Sequence, residues 1–156
     1  MSNWLVKKLT PNLVQIASAS IAGTSSVQAV ASAVVFDGAG NAYVAGYASA
    51  AVTNTQDFLV VKYSPSLVVL ASATVGFPAV VDQAMSIALA PSGDLYVSGD
   101  SGGDSLTARF SSSLVLISTV VFDGGFTDRG RGGTSVDAAG NVYVAGSGTS
   151  AAPTWG

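Results

Sequence analysis

A seven-residue segment occurs three times in this chain, and its recurrence constrains the fold more than any other feature of the sequence. The copies are Gly40–Gly46, Gly93–Gly99 and Gly140–Gly146, which share the pattern Gly-Asn/Asp-x-Tyr-Val-x-Gly. They follow one another at intervals of 53 and then 47 residues. A period of about 50 residues is typical of repeat architectures, in which each repeat forms one supersecondary unit.

A second segment recurs with the same period. Trp4–Leu13, Phe58–Leu67 and Ser105–Leu114 align with shifts of 54 and 47 residues. Because the shifts of the two segments agree to within a residue, both belong to one repeating unit. We therefore predict a single repeat domain over residues 1–156, with units at approximately 3–56, 57–104 and 105–156.

Each unit predicts four short strands, a to d, separated by turn residues. Strand b is the Tyr-Val-x-Gly segment. Strand c is the first part of the second segment, Phe58–Ser64 in the middle copy. The predicted bounds of strands a and d in successive units are Val34–Asp37, Ser86–Ala90 and Thr134–Asp137 for a, and Val14–Ile21, Val68–Val75 and Val115–Phe122 for d. Four strands per repeat of about 50 residues predict an all-β chain built from β-propeller blades.

Glycine and aspartate or asparagine mark the turns before strand b. We expect positive φ at Gly40, Gly93 and Gly140, because a short hairpin with a bulge requires that conformation. Asp and Asn bond their own backbone in turns, and this interpretation is favoured over calcium binding, which needs more oxygen ligands. The predicted structural turn residues are Asp37, Gly40, Asn41, Gly93, Asp94, Asp137, Gly140 and Asn141.

The order of the predicted strands gives two complete blades and two half blades. The chain starts with strands c and d, passes through two full units, and ends with strands a and b. Each half blade leaves an unpaired strand edge, which invites pairing with another chain. We expect Asn141–Gly146 of one subunit to pair with Trp4–Leu9 of the next, closing six blades from two chains or continuing as a filament. The alternative partner is the rest of a longer parent chain.

Composition excludes several classes of function. Charged residues are 10% of the chain, against roughly 25% in an average soluble domain. We expect part of the surface to be buried against other chains, although a neutral Ser/Gly/Thr-rich surface would also keep the protein soluble. Only six residues are basic, which argues against nucleic acid. The uncharged run Tyr63–Val81 aligns with strands c and d, so no membrane span is predicted.

The chain has no His and no Cys. Those residues supply the commonest general base, the commonest metal ligand and the thiol nucleophile. We therefore predict no enzyme activity, no cofactor and no metal site. No signal peptide is visible after Met1.

These segments resemble the SBBP family, the repeats of predicted bacterial β-propellers. The positions that match its Asp-x-x-Gly-Asn-x-Tyr-Val-x-Gly motif are Asp37, Gly40, Asn41, Tyr43, Val44 and Gly46, and Asp137, Gly140, Asn141, Tyr143, Val144 and Gly146. Lys8, Lys62 and Arg109 match the basic position of strand c, and the middle unit departs with Ala90 and Asp94. The resemblance implies a propeller and an exported or surface protein, and says little about function.

The loops that differ between units are the place to expect a ligand, because function is usually placed on loops of a rigid scaffold. We predict d–a loops at Ala22–Ala31, Gly76–Ala84 and Asp123–Gly133, and b–c loops at Tyr47–Gln56, Asp100–Asp104 and from Ser147 onward. The candidate ligand-binding residues in them are Asp100, Asp104, Asp128, Arg129 and Arg131. Solvated loop charges are the alternative interpretation.

Two functions compete. A non-catalytic structural or interaction module, on a surface, a filament or a virus particle, is favoured. The alternative is a ligand- or glycan-binding propeller, but the only tryptophans, Trp4 and Trp155, lie at the chain ends and form no repeated sugar platform. For Lys8, Lys62 and Arg109 we expect a structural role, each buried or half-buried and pairing with an acid or a backbone carbonyl, over three cations lining a channel.

Overall fold

A computed structural model describes residues 3–21, 28–49, 55–125 and 127–149. All twelve regular elements in these ranges are β-strands, so the all-β prediction is confirmed for them. The strands are β1 Trp4–Leu9, β2 Gln15–Ile21, β3 Ala29–Phe36, β4 Ala42–Ser49, β5 Gln56–Tyr63, β6 Val69–Val75, β7 Asp82–Leu89, β8 Leu95–Ser101, β9 Asp104–Phe110, β10 Leu116–Phe122, β11 Asp128–Val136 and β12 Val142–Gly148.

The strands form four antiparallel sheets in chain order. We call them the N-terminal hairpin (β1–β2), the first sheet (β3–β6), the second sheet (β7–β10) and the C-terminal hairpin (β11–β12). In each sheet, every strand pairs with the next along the chain. Among the described residues, β1 pairs as a strand only with β2, and β12 only with β11.

Strand a of each unit starts earlier than the sequence predicts. β3, β7 and β11 begin at Ala29, Asp82 and Asp128, inside segments expected to be d–a loops. Small and charged side chains made these segments look like loops, but their backbones continue to pair with the far end of strand b. Each strand contains a register shift, which lets it bend while the pairing continues.

The last glycine of each repeated motif lies against this irregular part of strand a. A Cβ added to Gly46 or Gly99 would lie 1.9 Å from the carbonyl oxygen of Val30 or Gln83. At Gly146 the same atom would lie 2.1 Å from the carbonyl oxygen of Arg129. Only glycine fits where another backbone approaches so closely. The recurrence of this glycine therefore has a packing cause.

The turns before strand b have the expected conformation. Gly40, Gly93 and Gly140 have φ values of 81°, 89° and 89°, which confirms the prediction. The turns between strands c and d use the same hydrogen-bonding pattern but place leucine at the corresponding position. The φ values of Leu13, Leu67 and Leu114 are 62°, 61° and 62°. Leucine rarely adopts this conformation, so its side chain must be needed there.

Two apolar clusters hold the sheets together face to face. Trp4, Val44 and Tyr63 pack between the N-terminal hairpin and the first sheet. Tyr43, Phe58, Val60, Leu95 and Phe110 belong to the cluster between the first and second sheets, and each is at most 1% exposed. Fully burying a large apolar side chain contributes about 1.5–3 kcal/mol. This interface therefore fixes how the two complete sheets stack.

Candidate functional site

A cleft of about 450 Å³ opens between the second sheet and the C-terminal hairpin. Ser105, Thr107, Val120 and Phe122 line it on the side of the second sheet. The hairpin side is lined by Val142, Val144, Gly146 and Gly148 of β12. Val120 and Phe122 are each 64% exposed, and β10 is exposed along its whole length. Valine and phenylalanine side chains, of the kind that the interface between the two complete sheets buries, thus lie on both walls beside polar residues.

Asp128 and Arg129 line one end of the cleft, and Asp100, which does not line it, lies beside Arg129. Arg131 forms an ion pair with Asp100, and the Nη1 atom of Arg129 lies 3.8 Å from the same carboxylate. The side chain of Asp100 is only 7% exposed, and its Oδ1 has no hydrogen-bond partner among the described residues. The structure brings three of the sequence-predicted ligand residues, Asp100, Arg129 and Arg131, together, with their charges directed at one another.

The predicted loop positions of these charges are wrong. Asp100 lies in β8, Asp104 begins β9, and the turn between them is reduced to Gly102–Gly103. Asp128, Arg129 and Arg131 lie in β11. Regular strand pairing therefore extends further toward this end of the sheets than charged residues suggested.

Asp104 and Asp128 form a second cluster with Asp123. One carboxylate oxygen from each lies within 4.8 Å of the others, a spacing that could hold a metal ion. Asp128 Oδ2 accepts a hydrogen bond of 2.6 Å from the amide of Gly124, and Asp123 Oδ1 accepts one of 2.7 Å from Gly125. These bonds close the loop before β11 and account for the positions of both carboxylates.

A similar loop closure with two acids, Asp82 and Asp57, occurs at the start of β7, which supports a structural role for these carboxylates. Asp82 occupies the position of Asp128 and accepts a hydrogen bond of 2.7 Å from the amide of Phe77. Asp82 is fully buried, and Asp57 is half-buried. Burial, reinforced by the nearby charge of Asp82, raises the pKa of Asp57. Acidic residues therefore close the loops at this end of both sheets.

The basic residues of strand c join neighbouring sheets at the other end. Lys8 Nζ donates a hydrogen bond of 2.9 Å to the carbonyl of Pro65, and Lys62 Nζ donates one of 3.1 Å to that of Ser112. Tyr43 donates a second hydrogen bond of 2.9 Å to Ser112. We call this arrangement the turn contact: strand c of one sheet binds the second residue of the c–d turn in the next. The predicted pairing with an acid or a backbone carbonyl is confirmed for both lysines, but the expected burial is wrong for Lys8, which is exposed because its ammonium reaches the carbonyl at the surface.

Arg109 occupies the same position in the second sheet and pairs with an acid. Its Nε donates a hydrogen bond of 3.1 Å to Asp94, and its guanidinium lies 5.8 Å from the ring centre of Tyr96. The side chain of Arg109 is 41% exposed. The predicted pairing with an acid is confirmed, but no c–d turn faces this residue within the described ranges.

The turn before strand b differs between the middle repeat and the outer two, and the Arg109–Asp94 ion pair accompanies this difference. In the outer repeats, Asp37 and Asp137 accept hydrogen bonds of 2.8 Å from the side chains of Asn41 and Asn141. These bonds are the main cause of the lowered pKa of both aspartates. In the middle repeat Ala90 replaces the first aspartate, and Asp94 stands at the asparagine position. The acid of this turn is therefore four positions later in the middle repeat than in the outer repeats, and at that position it forms an ion pair with Arg109.

Several sequence expectations fall partly or wholly outside the described residues. They include parts of the loops expected at Ala22–Ala31 and Tyr47–Gln56, and Trp155. Trp4 is fully buried, so it offers no surface for stacking a sugar. The part of the chain that the structure describes contains no helix that could span a lipid bilayer.

No protein-family model matches this chain, and no curated protein is similar to it. Among solved structures, the chain is similar to a protein of unknown function from Bacteroides caccae, with a TM-score of 0.54 and 15% sequence identity. The match covers 89% of this chain and 45% of that protein, so this chain spans less than half its length. At this identity the similarity supports the all-β fold alone.

Proposed function

We propose that this chain is a non-catalytic structural and interaction module, a partial β-propeller whose copies assemble head to tail by strand pairing. In the assembly, β12 of one copy pairs with β1 of the next, so that two hairpins combine into one four-stranded sheet. Such a module would serve as a building block of a cell surface, a filament or a virus particle. The observation that carries the proposal is the cleft, with its exposed apolar side chains, beside an edge of β12 that no strand of the described residues pairs with.

The two complete sheets indicate the register of this pairing. In them the first residue of strand b pairs with the last residue of strand c, as Ala42 does with Tyr63 and Leu95 with Phe110. The same rule pairs Val142 of one copy with Leu9 of the next, and Gly146 with Leu5. Backbone hydrogen bonds along such an edge supply affinity, and side chains on alternate positions supply specificity.

This register directs three side chains of β1 into the cleft, the charged Lys7 and the apolar Leu5 and Leu9, and all three are exposed in the single chain. Leu5 is 50% exposed and Leu9 is 45% exposed. Their counterparts in the second sheet, Leu106 and Phe110, are fully buried against the first sheet. Leu5 and Leu9 would thus cover Val120 and Phe122 as the complete sheets cover each other. Burial of exposed apolar surface is the main driving force for such association.

The contact surfaces on the two copies differ, so the interface is heterologous and either closes into a ring or continues as a fibre. Each copy contributes two complete sheets and, with its neighbour, one composite sheet. Two copies would therefore close a ring of six blades, within the usual range of four to eight. A c–d hairpin from a longer parent chain is the other occupant of the cleft that the test must distinguish.

The test is the solution mass across a range of concentrations, by size-exclusion chromatography with light scattering. We expect a mass of at least twice 15.4 kDa, the mass of one chain. Leu5→Asp should give a folded monomer, because it places a charge in the cleft contact. The control is Leu70→Asp, which changes a leucine of similar exposure, 53%, away from the cleft. This control should assemble like the unaltered chain.

A well-folded monomer of 15.4 kDa at every concentration would contradict pairing between copies. If that monomer bound a synthetic peptide of residues 3–21, the edge would be competent and a longer parent chain would be its partner. Equal assembly of Leu5→Asp and the unaltered chain would place the interface elsewhere.

A further inference from the structure

The c–d turn of the N-terminal hairpin, residues 10–13, has features that contacts within one chain do not explain. Leu13 has a φ of 62° and is 78% exposed. Leu114, at the same position in the second sheet, is only 6% exposed and packs in the cluster between the complete sheets. Leu67 packs in the cluster against the N-terminal hairpin. Packing of the leucine side chain therefore compensates for the unfavourable backbone conformation at Leu67 and Leu114, and it does not do so at Leu13.

Arg109 and Tyr96, on the outer face of the second sheet, are the counterpart of this exposed turn, because they can donate hydrogen bonds to a c–d turn. The equivalent pair in the first sheet, Lys62 and Tyr43, binds the carbonyl of Ser112 in the following c–d turn. Lys8 of the N-terminal hairpin binds Pro65 in the same way. Arg109 and Tyr96 are the remaining member of this series. Among the described residues they face no c–d turn.

Arginine differs from the lysine of the other two units in its number of donors, although either residue can donate to one carbonyl. A guanidinium has five N–H groups in a fixed fork, whereas an ammonium is a compact point charge. Arg109 uses its fork to bind Asp94, and this pairing holds the side chain beside Tyr96. Donors that are not engaged by Asp94 remain for a further acceptor.

We propose that the turn Thr10–Leu13 of one copy is the recognition element that binds Arg109 and Tyr96 of its neighbour, forming the turn contact across the subunit boundary. Arg109 and Tyr96 donate hydrogen bonds to the carbonyl of Pro11, which corresponds to Pro65 and Ser112. Leu13 packs beside them, as Leu114 packs on the first sheet. This inference rests on the head-to-tail assembly and names the residues that fix its geometry.

The test is the dissociation constant of the assembly, measured by sedimentation velocity over a dilution series. Arg109→Gln should weaken assembly about tenfold or more, since it removes a charged hydrogen-bond donor. Arg109→Lys should stay within about threefold of the unaltered chain, because lysine makes this contact in the other two units. Lys62→Gln is the matched control: it removes a contact within one chain, lowers the melting temperature, and leaves the dissociation constant unchanged.

Leu13→Gly provides an independent readout at the other side of the contact. It should weaken assembly while the diluted monomer melts at the same or a higher temperature, because glycine adopts a positive φ readily. Leu114→Gly should instead lower the melting temperature of the monomer, because it removes a buried side chain.

The two proposals fail differently. If Leu5→Asp abolishes assembly but Arg109→Gln and Leu13→Gly leave the dissociation constant unchanged, strand pairing stands and the turn contact across subunits is wrong. If Arg109→Lys weakens assembly as much as Arg109→Gln, the hydrogen bond to the turn is also wrong. If the unaltered chain is monomeric throughout, both proposals fall.

Discussion

Gly99 lies so close to Gln83 on the neighbouring strand that a methyl group on the glycine would come within 1.9 Å of the Gln83 carbonyl oxygen. Strand β7 is irregular at this point, since its register against β8 shifts between Ala84 and Ser86. The glycine of the repeated motif and the irregularity of strand a are thus two parts of one feature. One cannot change without the other.

Replacing Gly99 by Ala should therefore lower the free energy of unfolding by roughly 2 kcal/mol or more, because the clash is with backbone and the strand must shift. Urea denaturation measures this change. Gly38→Ala is the control, since a Cβ there would meet nothing within 4 Å. Equal stability of the two variants would show that strand a can move away at little cost.

Gly93→Val tests the turn before β8 through backbone conformation. Gly93 has a φ of 89°, and an added Cβ would meet nothing within 4 Å. The expected loss is roughly 1 kcal/mol or more, arising from the conformation and not from contact. An unchanged melting temperature would mean that the turn adopts another conformation in solution.

The pH dependence of stability should have opposite signs at Asp57 and Asp37. Burial, and then the charge of Asp82, raises the pKa of Asp57 above its usual value. The folded state then holds this proton more tightly than the unfolded state, so the free energy of unfolding falls as pH rises from the unfolded pKa through the folded pKa. We expect Asp57→Asn to gain stability relative to the unaltered chain at pH 7 and not at pH 3.

Asp37 provides the contrast, because the hydrogen bond from Asn41 lowers its pKa. Its contribution is present above the unfolded pKa and is lost as pH falls through the lowered folded pKa. Asp37→Asn should therefore lose stability at pH 7 and differ little in strong acid. Melting temperatures of both variants from strong acid to pH 7 check the two signs, and parallel curves would contradict them.

Lys7→Val tests whether β1 enters the cleft. The register of the complete sheets places Lys7 beside Leu5 and Leu9 on the face directed at the cleft, where Val61 and Ala108 are the buried counterparts. Burying a charge without a partner is unfavourable, and lysine on an exposed edge discourages pairing. We expect Lys7→Val to tighten assembly in sedimentation velocity. Weaker assembly would indicate that Lys7 binds an acid of the neighbouring copy.

The prediction that the chain is not an enzyme is tested by activity. The absence of His and Cys removes the usual nucleophile–base pairs. Ester, peptide, phosphate and glycoside substrates should all remain uncleaved. Turnover that disappears in Asp100→Asn or Asp128→Asn would overturn this expectation and make the charged end of the cleft an active site.

The sequence alone determined the repeating unit, the number of strands in the described residues and the positive φ of Gly40, Gly93 and Gly140. These features depend on local patterns: the alternation of side chains along a strand, and the few residues that turns accept. That Lys8 and Lys62 each have a hydrogen-bond partner was also predictable from their recurrence in every unit, but the sequence left open whether an acid or a carbonyl accepts.

Only the tertiary structure decided where strand a of each unit begins and why the motif ends in glycine. Asp82 and Asp128 have polar side chains typical of loops, yet the backbone from these residues onward pairs across the sheet. The close approach of Gln83 to Gly99, the move of an acid to Asp94 beside Arg109, and the cleft lined by Val120 and Phe122 arise between segments distant in sequence. Local patterns do not encode such contacts, because packing geometry sets them once the sheets have stacked.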